Sequence, residues 1–155
     1  MTKDYKYTIS DRFLEYTEFL AEDIISQRPN ITNFPDAHYR LMYHLFYAKT
    51  LSMRELGDLM HVSKTYITKI VDALTEIGLV ERHPDLNDRR IINIKLTIEG
   101  IRKFKELQDL LKKDIRSRLD NVPQEEQKMV LDSMEGFINL IKKYLPRSQY
   151  IRGKY

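Results

Sequence analysis

Residues 52–96 read SMRELGDLMHVSKTYITKIVDALTEIGLVERHPDLNDRRIINIKL, and the order of signals in this stretch decides the fold. Ser52 followed by Glu55 matches a capping box, in which serine accepts from the N–H three residues on and glutamate reaches back to the serine N–H. A helix therefore starts at about Ser52, with Leu56, Leu59 and Met60 on its inner side. His61-Val62 supply a turn, and Ser63 is the next N-cap. Ile67, Ile70, Val71 and Leu74 then fall at i, i+3, i+4 and i+7, so a second helix buries that stripe. Gly78-Leu79 stop it, glycine tolerating the left-handed conformation and leucine giving the apolar contact that accompanies it. From Val80 to His83 and from Ile92 to Leu96 the pattern has period two, and Pro84-Asp85-Leu86-Asn87-Asp88 between them is rich in turn formers. Two short helices across a tight turn, then a two-stranded ribbon, make a helix-turn-helix followed by a wing.

The exposed side of the second helix has the chemistry of a surface that enters a DNA groove. No carboxylate occurs from Ser63 to Val71. Lys64 and Lys69 suit phosphates, and Thr65, Tyr66 and Thr68 suit base edges, thymine methyls or backbone oxygens. Ser52 and Ser63, at the two helix starts, are counted with them, because helix N-termini favour phosphate. Asp72 and Glu76 come only where the helix would leave the groove. At the ribbon tip, Arg89 and Arg90 are placed to reach a narrow minor groove, with Asp88 orienting one of them.

Outward from this segment the chain reads as helical scaffold. On the N-terminal side, Ser10-Asp11 start a helix in which Phe13, Thr17, Leu20 and Ile24 recur until Arg28-Pro29-Asn30 interrupts. Pro35 begins a second helix, with Leu41, Leu45 and Ala48 on one face and Tyr39, Tyr43 and Tyr47 on a neighbouring one. Thr50-Leu51 is too short to form an element alone. On the C-terminal side, Thr97 caps a long helix whose stripe runs through Ile101, Phe104, Leu107 or Gln108, Leu111, Ile115 and Leu119. Pro123 starts the last helix, with Val130, Met134, Phe137, Ile141 and Leu145 on one face until Pro146, before the basic tail SQYIRGKY. These two helices carry more apolar surface than a small winged domain can cover, which calls for a partner surface.

The segment from Val62 to Gly100 resembles the MarR/SlyA family of winged-helix transcription regulators. The resemblance lies in the serine-led helix at Ser63, the exit Gly78-Leu79-Val80, the wing Asp85-Leu86-Asn87-Asp88-Arg89-Arg90, and Leu96-Thr97-Ile98-Glu99-Gly100 after it. Leu86 stands where the family pattern has proline. The resemblance implies a mainly α fold, a winged helix-turn-helix with a small β-hairpin wing and long N- and C-terminal dimerisation helices. Residues 1–35 would be the N-terminal dimerisation helix, 36–100 the DNA-binding domain, and 101–155 the C-terminal dimerisation helices and tail. It further implies a homodimer on a pseudo-palindromic operator in double-stranded DNA, most often a repressor. A small aromatic or anionic effector is implied where the dimer helices meet the winged domain, with Phe13, Tyr16, His38, Tyr39, Met42 and Tyr43 as the residues placed to meet it.

Composition bounds the alternatives. The chain has 155 residues, a net charge of +3 and 42% hydrophobic residues, enough to bury one core. Acidic residues predominate before Ala37, and beyond Glu135 every charge is basic, which suits one face turned to a polyanion. The absence of cysteine excludes disulfides, thiolate nucleophiles and thiol redox sensing. No run approaches the roughly 18–20 apolar residues that cross a bilayer, so a cytoplasmic protein without membrane contact is expected. His38 and His44 are six apart on different faces, with His61 in the turn and His83 in the wing, so neither a metal site nor a cofactor is expected. Nor is an enzyme: there is no glycine-rich phosphate loop or paired-carboxylate constellation. The competing reading is a winged-helix adaptor that binds protein without specific DNA binding, but an adaptor has no need of a carboxylate-free helix face.

Overall fold

The computed structural model describes residues 5–144. The order is α1 (Lys6–Phe19), a π-helical turn (Leu20–Ile25), α2 (Arg28–Thr32), α3 (Asp36–Ala48), β1 (Thr50–Ser52), α4 (Met53–Met60), α5 (Lys64–Glu76), β2 (Val80–Pro84), β3 (Ile92–Leu96), α6 (Ile98–Leu119) and α7 (Gln124–Tyr144). The three strands form an antiparallel sheet in the order β1-β3-β2. This is the mainly helical winged helix-turn-helix that the sequence implies.

The caps fall where the sequence puts them. Ser52 Oγ accepts from the Glu55 N–H while a Glu55 carboxylate oxygen takes the Ser52 N–H at 2.7 Å, completing the capping box. Ser63 Oγ accepts from the Tyr66 N–H at 3.2 Å. At the end of α5, the Leu79 N–H reaches Leu74 O at 2.9 Å and the Gly78 N–H reaches Thr75 O at 3.0 Å, with Gly78 at φ 71. These paired bonds are a Schellman motif, which the left-handed glycine permits. Thr97 then caps α6 by accepting from the Gly100 N–H at 2.9 Å, and its hydroxyl donates to Gly78 O at 2.7 Å. The exit of α5 and the entry of α6 are thereby held together.

Four local expectations are corrected. α1 starts at Lys6, not at Ser10-Asp11, and has no side-chain cap. Pro29 does not simply interrupt; it sits in the first turn of the short α2, where its missing N–H costs nothing. Pro35 is the N-cap of α3 instead of its first residue. Thr50-Leu51 does form an element, because β3 supplies a partner: Leu51 lies opposite Ile94 in β1–β3 pairing. A strand this short is stable only through such a non-local ladder. Leu145, Pro146 and the basic tail lie outside the described residues.

The core lies between α3, α4, α5, the inner face of the sheet and the first half of α6. Leu41, Met42, Leu56, Val71, Leu74, Ile94 and Phe104 are fully buried in it, each contributing on the order of 1.5–3 kcal/mol. Phe104 packs between Tyr39 and Phe46, with ring centroids at 5.4 and 4.8 Å, and Leu107 is buried beside it. The core of the winged unit thus continues past residue 100 into α6. It also reaches back before residue 36: Arg28 pairs with Asp36 at 2.8 Å and lies 4.6 Å over the Tyr39 ring.

The outer helices differ. No described side chain of α1 or α7 is buried. They meet through Phe137, whose ring is 6.0 Å from Phe13 and 5.9 Å from Tyr16. Ile9, Leu14 and Phe19 on α1, and Met129, Leu131 and Leu140 on α7, stay exposed.

Candidate nucleic-acid interface

The first turns of α5 present a slim, carboxylate-free surface. Its apolar stripe is held inside, with Ile67, Ile70, Val71 and Leu74 all buried. That orientation sets Ser63, Lys64, Thr65, Tyr66 and Lys69 exposed and Thr68 half-buried. The Thr68 hydroxyl donates to Lys64 O at 2.8 Å, leaving its oxygen as an acceptor toward the surface. Asp72, the first carboxylate along the helix, is ion-paired with Arg82 of β2, which neutralises it and pins the helix to the wing.

The wing tip is ordered by two aspartates. Asp85 Oδ1 accepts from the N–H groups of Asn87 at 2.9 Å and Asp88 at 3.2 Å, while its Oδ2 accepts from Asn93 Nδ2 at 2.8 Å. Asp88 Oδ1 accepts from both the backbone N–H and Nε of Arg90, at 3.0 and 3.2 Å. The guanidinium is therefore aimed while its side chain remains 93% exposed. Arg89 is exposed beside it. Leu86 projects fully into solvent. The turn that a proline at this position would preset is held instead by the Asp85 hydrogen bonds.

Asp85 was not among the residues singled out from sequence, although Asp-x-Asn-Asp in a turn is the signal for such side-chain-to-backbone bonds. Donation from the Asn87 N–H, then from Asn93 and the Asp88 N–H, holds its carboxyl below the usual aspartate range. A depressed pKa in the folded state means the stabilisation is complete above the ordinary aspartate value and is lost as pH falls through the lowered one. In an acid titration followed by amide NMR, the Asn87 and Asp88 signals should shift together with a midpoint below about 3.9. Both signals should sit at their acid-limit positions at neutral pH in Asp85→Ala. A midpoint at or above the ordinary value would remove Asp85 from this role.

Ser52 is placed differently from the α5 residues. Its hydroxyl and N–H are both engaged with Glu55, so it fixes the start of α4. It also lines a cleft of 640 Å³ between that start, the beginning of α5 and the base of the wing, together with Lys64 and Arg90. The structure thus gathers Ser52, Lys64 and Arg90 at one place.

The six residues expected to meet an effector are not gathered. Phe13 and Tyr16 line an apolar groove of 430 Å³ between α1 and α7, with Ile9, Met134 and Phe137. His38, Tyr39, Met42 and Tyr43 lie on α3 instead. Met42 and Tyr39 are core residues, so packing accounts for them and they offer a ligand no surface. His38 packs on Phe34 at 5.7 Å, and Tyr43 meets Tyr47 edge-on at 4.8 Å. Burial lowers the pKa of His38 and, with help from Arg40, that of His44, which keeps both neutral near pH 7. Among the described residues, no cluster of three or more His, Asp or Glu is arranged to hold a metal ion, and no helix is long and apolar enough to cross a membrane.

Comparison with known proteins agrees with this geometry. The MarR family model matches residues 34–92, the segment from the start of α3 to β3. An HTH-type transcriptional repressor, YetL of Bacillus subtilis, is 31% identical over 96 residues, covering 61% of this chain and 58% of that protein's length. The multiple antibiotic resistance protein MarR of Escherichia coli is 26% identical over 110 residues, covering 71% of this chain and 72% of that protein. Among solved structures, a transcriptional regulator from Thermotoga maritima superposes with a TM-score of 0.73 at 18% identity, over 91% of this chain and 99% of that one. A mutant E. coli MarR complexed with operator DNA superposes with a TM-score of 0.58 at 22% identity, over 94% and 100%. The structural likenesses bear out the winged helix-turn-helix fold over about nine-tenths of the chain, and in sequence the chain is similar to the MarR family over its winged segment, residues 34–92.

Proposed function

We propose that this chain is a homodimeric transcription regulator that binds a pseudo-palindromic operator in double-stranded DNA, acts as a repressor, and responds to a small aromatic or anionic effector. The observation that carries the reading is the pairing of a carboxylate-free, exposed α5 start with a wing whose Arg90 is aimed by Asp88. The helix fits a major groove and supplies Lys64 and Lys69 to phosphates and Thr65, Tyr66 and Thr68 to bases; the wing brings Arg89 and Arg90 to the adjacent minor groove.

Dimerisation follows from the apolar surface left open on α1 and α7, which a second copy covers. Two heads related by a two-fold axis then meet half-sites about one helical turn apart, roughly 34–36 Å along the duplex. The similarity to YetL, a transcriptional repressor, and to an E. coli MarR solved in complex with operator DNA supports repression and DNA as the partner. For the effector, the support is the half-exposed His38 and Tyr43 on α3, since the groove holding Phe13 and Tyr16 belongs to the α1–α7 face that the second copy covers.

The experiment is titration of the chain onto labelled duplex spanning the DNA that flanks its own coding sequence, with random duplex as competitor. A preference for the former that weakens steeply with salt supports the reading; equal, weak binding to both favours an adaptor.

A further inference from the structure

We infer that Arg54, which no motif marks, is a phosphate-gripping residue of the DNA interface, and that it works by masking the carboxylate of Asp58 at the mouth of the cleft. This inference rests on the DNA-binding reading and adds a contact to it. The 640 Å³ cleft is rimmed by cations from three separate elements: Arg54 from the first turn of α4, Lys64 from the first turn of α5, and Arg90 from the wing. Its floor includes the apolar side chains of Ile67 and Ile92, which offer a polyanion no hydrogen bond. Whatever passes over it must be held at the rim.

At α5 that grip includes the first backbone N–H groups, which have no partner within the helix. At α4 the helix start is already occupied by an anion, because Glu55 bonds the Ser52 N–H at 2.7 Å. A phosphate cannot use the α4 N-terminus as it uses the α5 one. The only positive charge α4 can bring to the cleft is the Arg54 side chain, and it is held out at 92% exposure.

Asp58, one turn on, also lines the cleft. Its carboxylate lies 3.9 Å from Arg54 Nε, a loose exposed pair that leaves the outer guanidinium nitrogens for another acceptor. Without Arg54, that carboxylate would face the DNA backbone unscreened. Removing Arg54 therefore both loses a contact and uncovers a repulsion.

The test uses the full chain and fluorescence anisotropy on the flanking-DNA duplex and on a random duplex, across a series of KCl concentrations. Arg54→Ala should melt as wild type does, since the side chain is exposed. It should reduce the slope of log K against log salt by about one unit and weaken both duplexes by the same factor, roughly tenfold. Arg54→Lys should keep the slope, and Arg54→Ala/Asp58→Asn should recover part of the lost affinity. A wild-type slope in Arg54→Ala, alongside a reduced slope in Lys64→Ala, overturns the inference and leaves the DNA reading standing. Absence of salt-dependent binding by the wild type overturns the DNA reading, and the inference falls with it.

Discussion

Gly100→Ala should lower the melting temperature of this protein by roughly 6–12 °C, an overpacking loss of about 3 kcal/mol in a chain of this size. A Cβ at residue 100 would stand 2.0 Å from the carbonyl oxygen of Leu79 and 3.0 Å from its carbon. Both are backbone atoms, so no rotamer change relieves the clash. The Leu79 carbonyl is fixed from two directions: it accepts the Thr97 N–H at 3.1 Å, and its own residue closes the Schellman motif at the end of α5. Moving α6 away would break the Thr97 bond to Gly78 O as well and withdraw Phe104 and Leu107 from the core. The glycine of the Leu-Thr-x-x-Gly segment is thus a close-approach residue, needed for space and not for its φ angle.

Two other glycines calibrate the effect. At Gly78 a Cβ meets nothing within 4 Å, but φ is +71, so Gly78→Ala should cost only about 1–2 kcal/mol through left-handed strain. Gly57, in the middle of α4, has only ordinary contacts, and alanine there should be neutral or stabilising by up to about 1 kcal/mol. Thermal melts of the three variants should rank Gly100 far below Gly78, with Gly57 at or above wild type. A Gly100→Ala melt within a degree or so of wild type would show that the joint between α5 and α6 is looser than these contacts require.

On the proposed homodimeric reading, Phe137→Glu should leave a monomer and lower affinity for the operator by roughly 10²–10⁴, the range lost when two linked contacts become one. Phe137 is where α7 meets both Phe13 and Tyr16 of α1, and it lines the apolar groove between the two helices. A carboxylate there must stay solvated, which excludes a second copy. The core shares no side chain with this site, so each head should remain folded. Light scattering should give the 18.6 kDa mass of a single chain, with the helical circular dichroism retained. Phe137→Leu should remain dimeric. If Phe137→Glu still scattered as a dimer, the partner surface would lie elsewhere.

The parts of this fold that the sequence made legible are those built from local rules. Capping serines, the glycine stop and the 3.6-residue stripe of α5 depend on neighbours within a turn or two, and each stands where its residues indicate. The elements that escaped are non-local. β1 exists only because β3 passes alongside, and Phe104 belongs to the winged core only because α6 folds back over α3. At the interface the same division holds. The bareness of α5 was visible as a run without carboxylates, whereas Asp85 as organiser of the wing depends on Asn93, eight residues on across the hairpin. Among the residues proposed for an effector, helical spacing does not distinguish an open face from a core one: Met42 and Tyr39 are core, whereas Phe13, Tyr16 and Tyr43 are exposed.

The most direct test of the central claim is the affinity of Lys64→Ala/Arg90→Ala for duplex from the DNA flanking the coding sequence, measured against wild type over a salt series. These two side chains sit on different elements and line the same cleft at the proposed interface. If α5 and the wing hold the DNA, the double variant should melt like wild type, bind the duplex at least about tenfold more weakly, and show a slope shallower by about two units. Binding equal to wild type in both affinity and slope would contradict the account, and would move the DNA-binding surface off the winged head.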